Sequence, residues 1–157
     1  MDIRPAKPED IPGLVDLWIE FMDFHSALDQ DYVRSPDAVE KWTAYISEKI
    51  ADEKFQIIVA VDQGNLVGHL VATIRDYPPV FTIKNFGFIQ EIAVNENYRR
   101  QGVARRLYAA AEEWLRSVGV SRIQTNVDSL NQASRSFWKV VGFEPHTETL
   151  IKKIGWS

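Results

Sequence analysis

The stretch FIQEIAVNENYRRQGVARRL, residues 88–107, decides how this chain is read. It opens as FIQEIAV (88–94), an apolar run of strand type, and closes as NYRRQGVARRL (97–107), a turn that enters a helix. Four arginines (Arg99, Arg100, Arg105 and Arg106) fall within eight positions, and between them stand Gly102 and Ala104, which have almost no side chain. The start of a helix carries backbone N–H groups without partners, and its dipole adds partial positive charge there. Small residues let a ligand reach that backbone, and arginines surround it with full charges. The stretch therefore predicts a seat for an anion the size of a pyrophosphate. It matches neither of the usual glycine-rich nucleotide loops. Spacing alone also allows a plainer reading, in which Gly102 only turns the chain and the arginines face solvent.

The rest of the composition narrows the class. A chain of 157 residues, 45% hydrophobic and 25% charged, is expected to form one globular domain with a real core. Net charge is −4, which argues against a nucleic-acid partner. The charge is uneven: residues 1–40 hold ten Asp or Glu against three Lys or Arg, and the remainder twelve against fifteen. One part is thus suited to a cation and the other to an anion. There is no cysteine, so disulfides, zinc–thiolate sites and a cysteine nucleophile are excluded. The histidines, at 25, 69 and 146, are not spaced for a metal. The N-terminus has no secretory pattern and no apolar run approaches the ~20 residues of a membrane span, so a cytoplasmic protein without a membrane partner is expected.

Periodicity gives the elements. MDIRPA is a short strand ending at Pro5. Ile11, Leu14, Val15, Leu17, Trp18, Phe21 and Met22 recur at helical spacing, and SPDAVEKWTAYISEKIADE predicts a second helix capped by Ser35 with Pro36 at its first position. FQIIVAVD (55–62) and NLVGHLVATIRD (65–76) flank Gln63-Gly64 as a hairpin, and 86–94 is the next strand. Val103, Leu107, Ala110, Ala111, Trp114 and Leu115 mark a helix that stops near Gly119. VSRIQTNV reads as a strand, NQASRSFWKVVGF as a short helix ending at Gly142, and HTETLIKKI as a last strand. The order β-α-α-β-β-β-α-β-α-β is that of a single α/β domain over 1–157, expected as a mixed central sheet with helices on both faces.

Two motifs carry a resemblance. QEIAVNENYRRQGVARRL resembles the coenzyme A-binding signature of the GNAT acetyltransferase superfamily, R/Q-x-x-G-x-G/A, with Arg99, Gly102 and Ala104 at its defined positions and Val94 and Tyr98 in its lead-in. NQASRSFWKVVGFEP is similar to the same family's N-x-x-A-x-x-F-Y-x-x-x-G-F segment, with Asn131, Phe137, Gly142 and Phe143 in place. The resemblance implies acetyl-CoA as cofactor. Backbone amides across Arg100, Gln101, Gly102, Val103, Ala104 and Arg105 would hold its pyrophosphate. The edge of the strand at Ile92, Ala93 and Val94 would bind the pantetheine arm, a bulge would splay that strand from the next, and Asn131 would contact the cofactor from the far side. Domains of this family are often homodimers.

Without a cysteine, direct attack of an amine on the thioester is expected. Such an amine is mostly protonated at neutral pH, as lysine is with a pKa of about 10.4, so a base must act first. Glu91 is the candidate base, working through water. Gln90, expected on the opposite face of the strand, could only polarise a water, and several family members place their base on that face. The family often donates a proton to the thiolate from a tyrosine where this chain has Trp138, and tryptophan cannot serve as an acid. Tyr108 or Tyr98 fills that role, water does, or no acid is needed. Trp138 is then expected to line the thioester slot.

The resemblance puts the acceptor near the first two helices and the loop between them, FMDFHSALDQDYVRSP. There Asp23, Asp29 and Asp31 would attract a cation while Trp18, Phe21, Phe24 or Tyr32 contact its carbon skeleton, with His25 beside them. The expected substrate is a small amine with a further positive charge, or a peptide amine. A catalytically idle acyl-CoA sensor or interaction module is the alternative reading.

Overall fold

The computed structural model describes residues 1–155. It forms two compact units, Met1–Asn126 and the segment from Val127 on. The first holds β1 (Asp2–Pro5), α1 (Ile11–Leu28), α2 (Ala38–Ile50), β2 (Phe55–Asp62), β3 (Asn65–Asp76), β4 (Asn85–Val94), α3 (Val103–Ser117) and β5 (Ile123–Thr125). The second holds α4 (Gln132–Val140).

The sheet order is β1-β2-β3-β4-β5. The first four strands pair antiparallel and β5 joins β4 in parallel, so the sheet is mixed. The β2–β3 hairpin turns on Gln63 (φ 50°) and Gly64 (φ 80°), two left-handed residues whose twist suits a two-residue hairpin. At the N-terminal edge, Arg4 clasps Asp10 through Nη1 at 2.7 Å and Nη2 at 3.0 Å and ties β1 to the start of α1. That guanidinium holds the Asp10 carboxyl below the usual carboxylate range.

Helices cover both faces. On one, Leu14 and Trp18 of α1 and Trp42 and Ile46 of α2 enclose Ile57, Val59 and Val71 of the sheet. On the other, α3 lies across β2, β3 and β4 with Val103, Leu107, Ala111 and Leu115, a strict four-residue repeat, buried beneath it. Full burial of each of those larger side chains contributes roughly 1.5–3 kcal/mol. Gly87 shows how closely α3 sits, since a Cβ added there would meet Leu115 Cδ1 at 2.6 Å.

Three expectations are corrected. HTETLIKKI (146–154) is not a strand among the described residues, and Leu150, Ile151 and Ile154 stand 87%, 73% and 89% exposed. Its apolar residues include the adjacent Leu150 and Ile151, which a strand would turn to opposite faces, so no single face is made for burial. β5 is shorter than VSRIQTNV. Helix α2 begins two residues beyond Pro36, with Asp37 as its cap residue and the Ser35 hydroxyl donating to Asp37 Oδ1 at 2.8 Å.

Gly87→Ala is expected to destabilise the fold by about 1–3 kcal/mol through overpacking against Leu115, read as a lower urea midpoint with an unchanged slope. An unchanged midpoint would mean that α3 is free to move off the sheet.

Candidate active site

Strand β4 carries one extra residue. Val71 of β3 faces Glu91 and Ala72 faces Ile89, which leaves Gln90 without a partner, a bulge. Pairing between β4 and β5 stops at the same point. Its last pair is Ile89 with Thr125, whose Oγ1 donates to the Ile89 carbonyl at 2.9 Å. Beyond the bulge the Asn95 amide donates to Val67 of β3 at 2.8 Å, so by alternation residues 91 and 93 also bond toward β3. The amides and carbonyls of Ile92 and Val94 then face the β5 side, where no strand among the described residues pairs with them.

The bulge overturns one expectation. Gln90 and Glu91 do not point to opposite faces: the inserted residue resets the alternation, and both side chains reach the face covered by α1 and α2. Gln90 Oε1 accepts from the Tyr45 hydroxyl of α2 at 3.0 Å, and Glu91 Oε2 accepts from His69 Nε2 of β3 at 2.8 Å. His69 is fully buried beside Trp42, and the Glu91 side chain is 10% exposed.

The turn after β4 is built for free amides. Asn95 caps a short turn over Glu96–Tyr98, Arg100 adopts φ 62° and Gly102 adopts φ 78°. Left-handed φ costs a residue with a side chain about 1–2 kcal/mol, which explains glycine at 102. The space over Gly102 is open, with nothing within 4 Å of where a Cβ would sit. The Arg106 amide bonds to the Gly102 carbonyl at 3.1 Å, so the amides of Val103, Ala104 and Arg105 precede the first helical hydrogen bond and point out of the helix start. Of the side chains, Gln101 donates to the Asn97 carbonyl at 3.2 Å and Val103 is buried in the core.

The four arginines separate by environment. Arg99 turns toward α1, with Nη2 3.9 Å from Glu20, its guanidinium 5.1 Å from the Phe24 ring centre, and Nε 3.4 Å from the Val94 carbonyl. Arg106 donates to the Met1 carbonyl at 3.3 Å. Arg100 and Arg105 are exposed at the mouth of the turn. Glu20 also accepts from the Glu96 amide at 2.9 Å and from Asn95 Nδ2 at 3.3 Å, and so ties α1 to the loop.

An open groove of about 460 Å³ lies where α1 meets that loop, lined by Asp16, Ile19, Glu20, Asp23, Phe24, Glu96 and Arg99. Among the expected acceptor residues, Asp23 and Phe24 line it. His25 Nδ1 donates to the Phe21 carbonyl at 2.8 Å and their rings are 4.1 Å apart, so this pair is internal to α1. Asp29 uses its carboxylate to accept from the Asp31 amide at 3.0 Å, and Tyr32 is exposed on that turn. Trp18, expected near the acceptor, is instead core, stacked on Trp42 at 5.0 Å. Sequence reasoning missed Asp16, Glu20 and Glu96. The i, i+4, i+7 spacing of Asp16, Glu20 and Asp23 would have put those three on one helical face.

The tyrosines are tethered. Buried Tyr108 of α3 donates to Glu112 at 3.0 Å, and burial together with that carboxylate pushes its proton affinity well above the ordinary phenol range. Tyr98 donates to Asp62 at 3.0 Å, and that bond raises it as well. In the second unit, Asn131 Oδ1 accepts from the Ser134 amide at 3.0 Å and caps α4. Trp138 is buried there, with Phe137 and Phe143 at ring distances of 5.0 and 4.9 Å. Among the described residues no helix is long and apolar enough to cross a membrane.

Known proteins resemble this chain in sequence and in fold. An aminoglycoside N(6')-acetyltransferase type 1 of Klebsiella aerogenes is 30% identical over 99 residues, covering 63% of this chain and 65% of that protein. The chain thus spans just under two thirds of that relative's length. The structure of a tetramutant of the BH1408 protein from Bacillus halodurans superposes with a TM-score of 0.89 at 20% identity, covering 98% of this chain and all of the other. Aminoglycoside N-acetyltransferase AAC(6')-Iy, solved in complex with CoA, gives a TM-score of 0.77 at 21% identity and covers 98% of this chain and 93% of that one. The sequence model of the acetyltransferase (GNAT) family matches residues 15–143. That match runs from α1 past α4 and takes in both motifs; the chain belongs to the acetyltransferase (GNAT) family.

Proposed function

We propose that this chain moves the acetyl group of acetyl-CoA to a primary amine that carries further positive charge, by direct attack of the amine and without an acyl-enzyme. The observation that carries this reading is the unpaired β4 edge at Ile92 and Val94, which leads from the bulge straight to the outward amides of Val103, Ala104 and Arg105. Those amides, the opening over Gly102 and the exposed Arg100 and Arg105 fit a pyrophosphate. The strand edge fits the amides of a pantetheine arm in the way one more strand would add. The CoA complex of AAC(6')-Iy supports the cofactor. When bound, acetyl-CoA supplies an activated thioester; the remaining tasks fall to the chain.

Glu91 takes the proton of the incoming ammonium, and Gln90 beside it orients the intervening water. No acid is assigned to the departing sulfur. Donation by Tyr108 would leave a phenolate beside Glu112, whereas a simple thiol has a pKa near 8.5 and its thiolate leaves unaided at about neutral pH. The acceptor is assigned to the α1 side. Four carboxylates and the Phe24 ring in the groove suit a cation with a carbon skeleton, although Arg34 at 2.8 Å partly neutralises Asp23. The Klebsiella relative is named for aminoglycosides, which are multiply charged amines, and this supports the same chemistry. Trp138 at the family's tyrosine position favours a second reading, an acyl-CoA-binding domain without turnover.

Thiol release from acetyl-CoA, followed with a panel of amines, separates the two. Diamines, polyamines or basic peptides are expected to release thiol faster than neutral or acidic acceptors, and Glu91→Gln is expected to lower kcat by about 10²-fold or more. Binding of acetyl-CoA with no thiol release from any amine would favour the sensor. Gly102→Ala is expected to raise the KM for acetyl-CoA roughly tenfold with a smaller effect on kcat, because the left-handed turn is strained by ~1–2 kcal/mol and a methyl group enters the opening. An unchanged KM would remove the turn from cofactor binding.

A further inference from the structure

We propose that His69 is a positioning residue for acetyl transfer: it holds the Glu91 carboxylate from behind, across the β3–β4 ladder. This rests on the reading that Glu91 takes the amine's proton. A histidine at the centre of a strand is ordinarily a core residue with both ring nitrogens bonded. His69 is not. It is 0% exposed, Nε2 lies 2.8 Å from Glu91 Oε2, and buried Nδ1 has no hydrogen-bond partner. A carboxylate oxygen only accepts, so Nε2 carries the hydrogen and donates, and Nδ1 is the bare nitrogen.

A shape-filling residue at 69 would bury a leucine without leaving an orphaned nitrogen, so core packing alone does not explain an imidazole there. Its single polar contact goes to the carboxylate at the bulge. The ring is also confined, tilted against Trp42 at 6.1 Å between centroids, and Trp42 stacks on Trp18. A rigid donor thus fixes the Glu91 carboxylate on one side. The neighbouring Gln90 is fixed in the same way by Tyr45, so Glu91 and Gln90 are held from β3 and from α2 respectively. The polar groups facing this cluster are Glu91 and Gln90 from β4 and Tyr45 from α2; α1 contributes Trp18 through the Trp42 stack. His69 itself takes no proton from substrate, and the imidazole acts only through the Glu91 carboxylate.

The test compares His69→Leu, His69→Gln and Glu91→Gln in thiol release with a fixed diamine. His69→Leu is expected to lower kcat about 10–100-fold and leave both KM values within about twofold, because the Glu91 carboxylate loses its fixed donor. His69→Gln, whose amide N–H replaces Nε2–H, is expected to restore most of the rate. A purely structural role would instead lower the thermal midpoint and leave the kcat of the folded fraction unchanged, with no rescue by His69→Gln, which would overturn the proposal. Should His69→Leu not fold, imidazole ¹⁵N NMR of the unaltered protein decides: the Nε2–H tautomer is required, its ¹⁵N signals shift in Glu91→Gln, and an Nδ1–H tautomer contradicts the assignment. The arms also separate two failures. If Glu91→Gln keeps the full rate, the base assignment falls and this inference with it. If Glu91→Gln is slow while His69→Leu matches the unaltered protein in rate, only the role of His69 falls.

Discussion

The single extra residue in β4 is the constraint on which the site depends. Without the bulge the strand would keep its alternation, and Glu91 would turn toward α3 and away from His69. With it, Gln90 and Glu91 emerge together on the α1–α2 side, and pairing with β5 ends at Ile89. A bulge disrupts a ladder locally and bends the strand that carries it. Here that disruption leaves the backbone of Ile92 and Val94 without a strand partner among the described residues, although the Val94 carbonyl accepts from Arg99 Nε, and this is the edge proposed to take the cofactor arm. Unpaired strand edges are a hazard for most proteins. In this fold the edge is short, and the proposed occupant is the ligand.

The second contribution is electrostatic, and it separates along the chain. The outward amides of α3's first turn and exposed Arg100 and Arg105 make one positive region. The carboxylates of Asp16, Glu20, Asp23 and Glu96 make a negative one beside it. Glu20 and Arg99 join the two, since Glu20 bonds the loop backbone and Arg99 reaches back over Phe24. A motif arginine that sequence logic gave to the anion is thus held against α1. What the turn offers an anion is mainly backbone, shaped by the left-handed conformations of Arg100 and Gly102.

Much of this was legible in the sequence where the determinant is local. Alternation and the Gln63-Gly64 turn fixed β2 and β3 to the residue, and Gly102 and Gly119 bracketed α3. The bulge was not legible residue by residue, because an insertion in register is a relation between two strands and leaves no mark on one. Glu91 and His69 are 22 positions apart, and Glu20 and Glu96 76 apart, so their pairing follows from the sheet and helix packing and not from spacing. HTETLIKKI misled for the opposite reason: β-prone composition is local, whereas a strand needs a partner edge. Trp18 misled because an aromatic at a helix face serves a core and a substrate pocket equally well.

The central claim is that the β4 edge and the first turn of α3 are open so that they can hold acetyl-CoA. Amide hydrogen exchange with and without acetyl-CoA tests it most directly, since the proposed contacts are backbone N–H groups that side-chain substitution cannot remove. Strong added protection is expected at Ile92 and Val94 and at Val103, Ala104 and Arg105, with little change in β1 or β2. Saturable binding that leaves those amides exchanging at their original rates would contradict it.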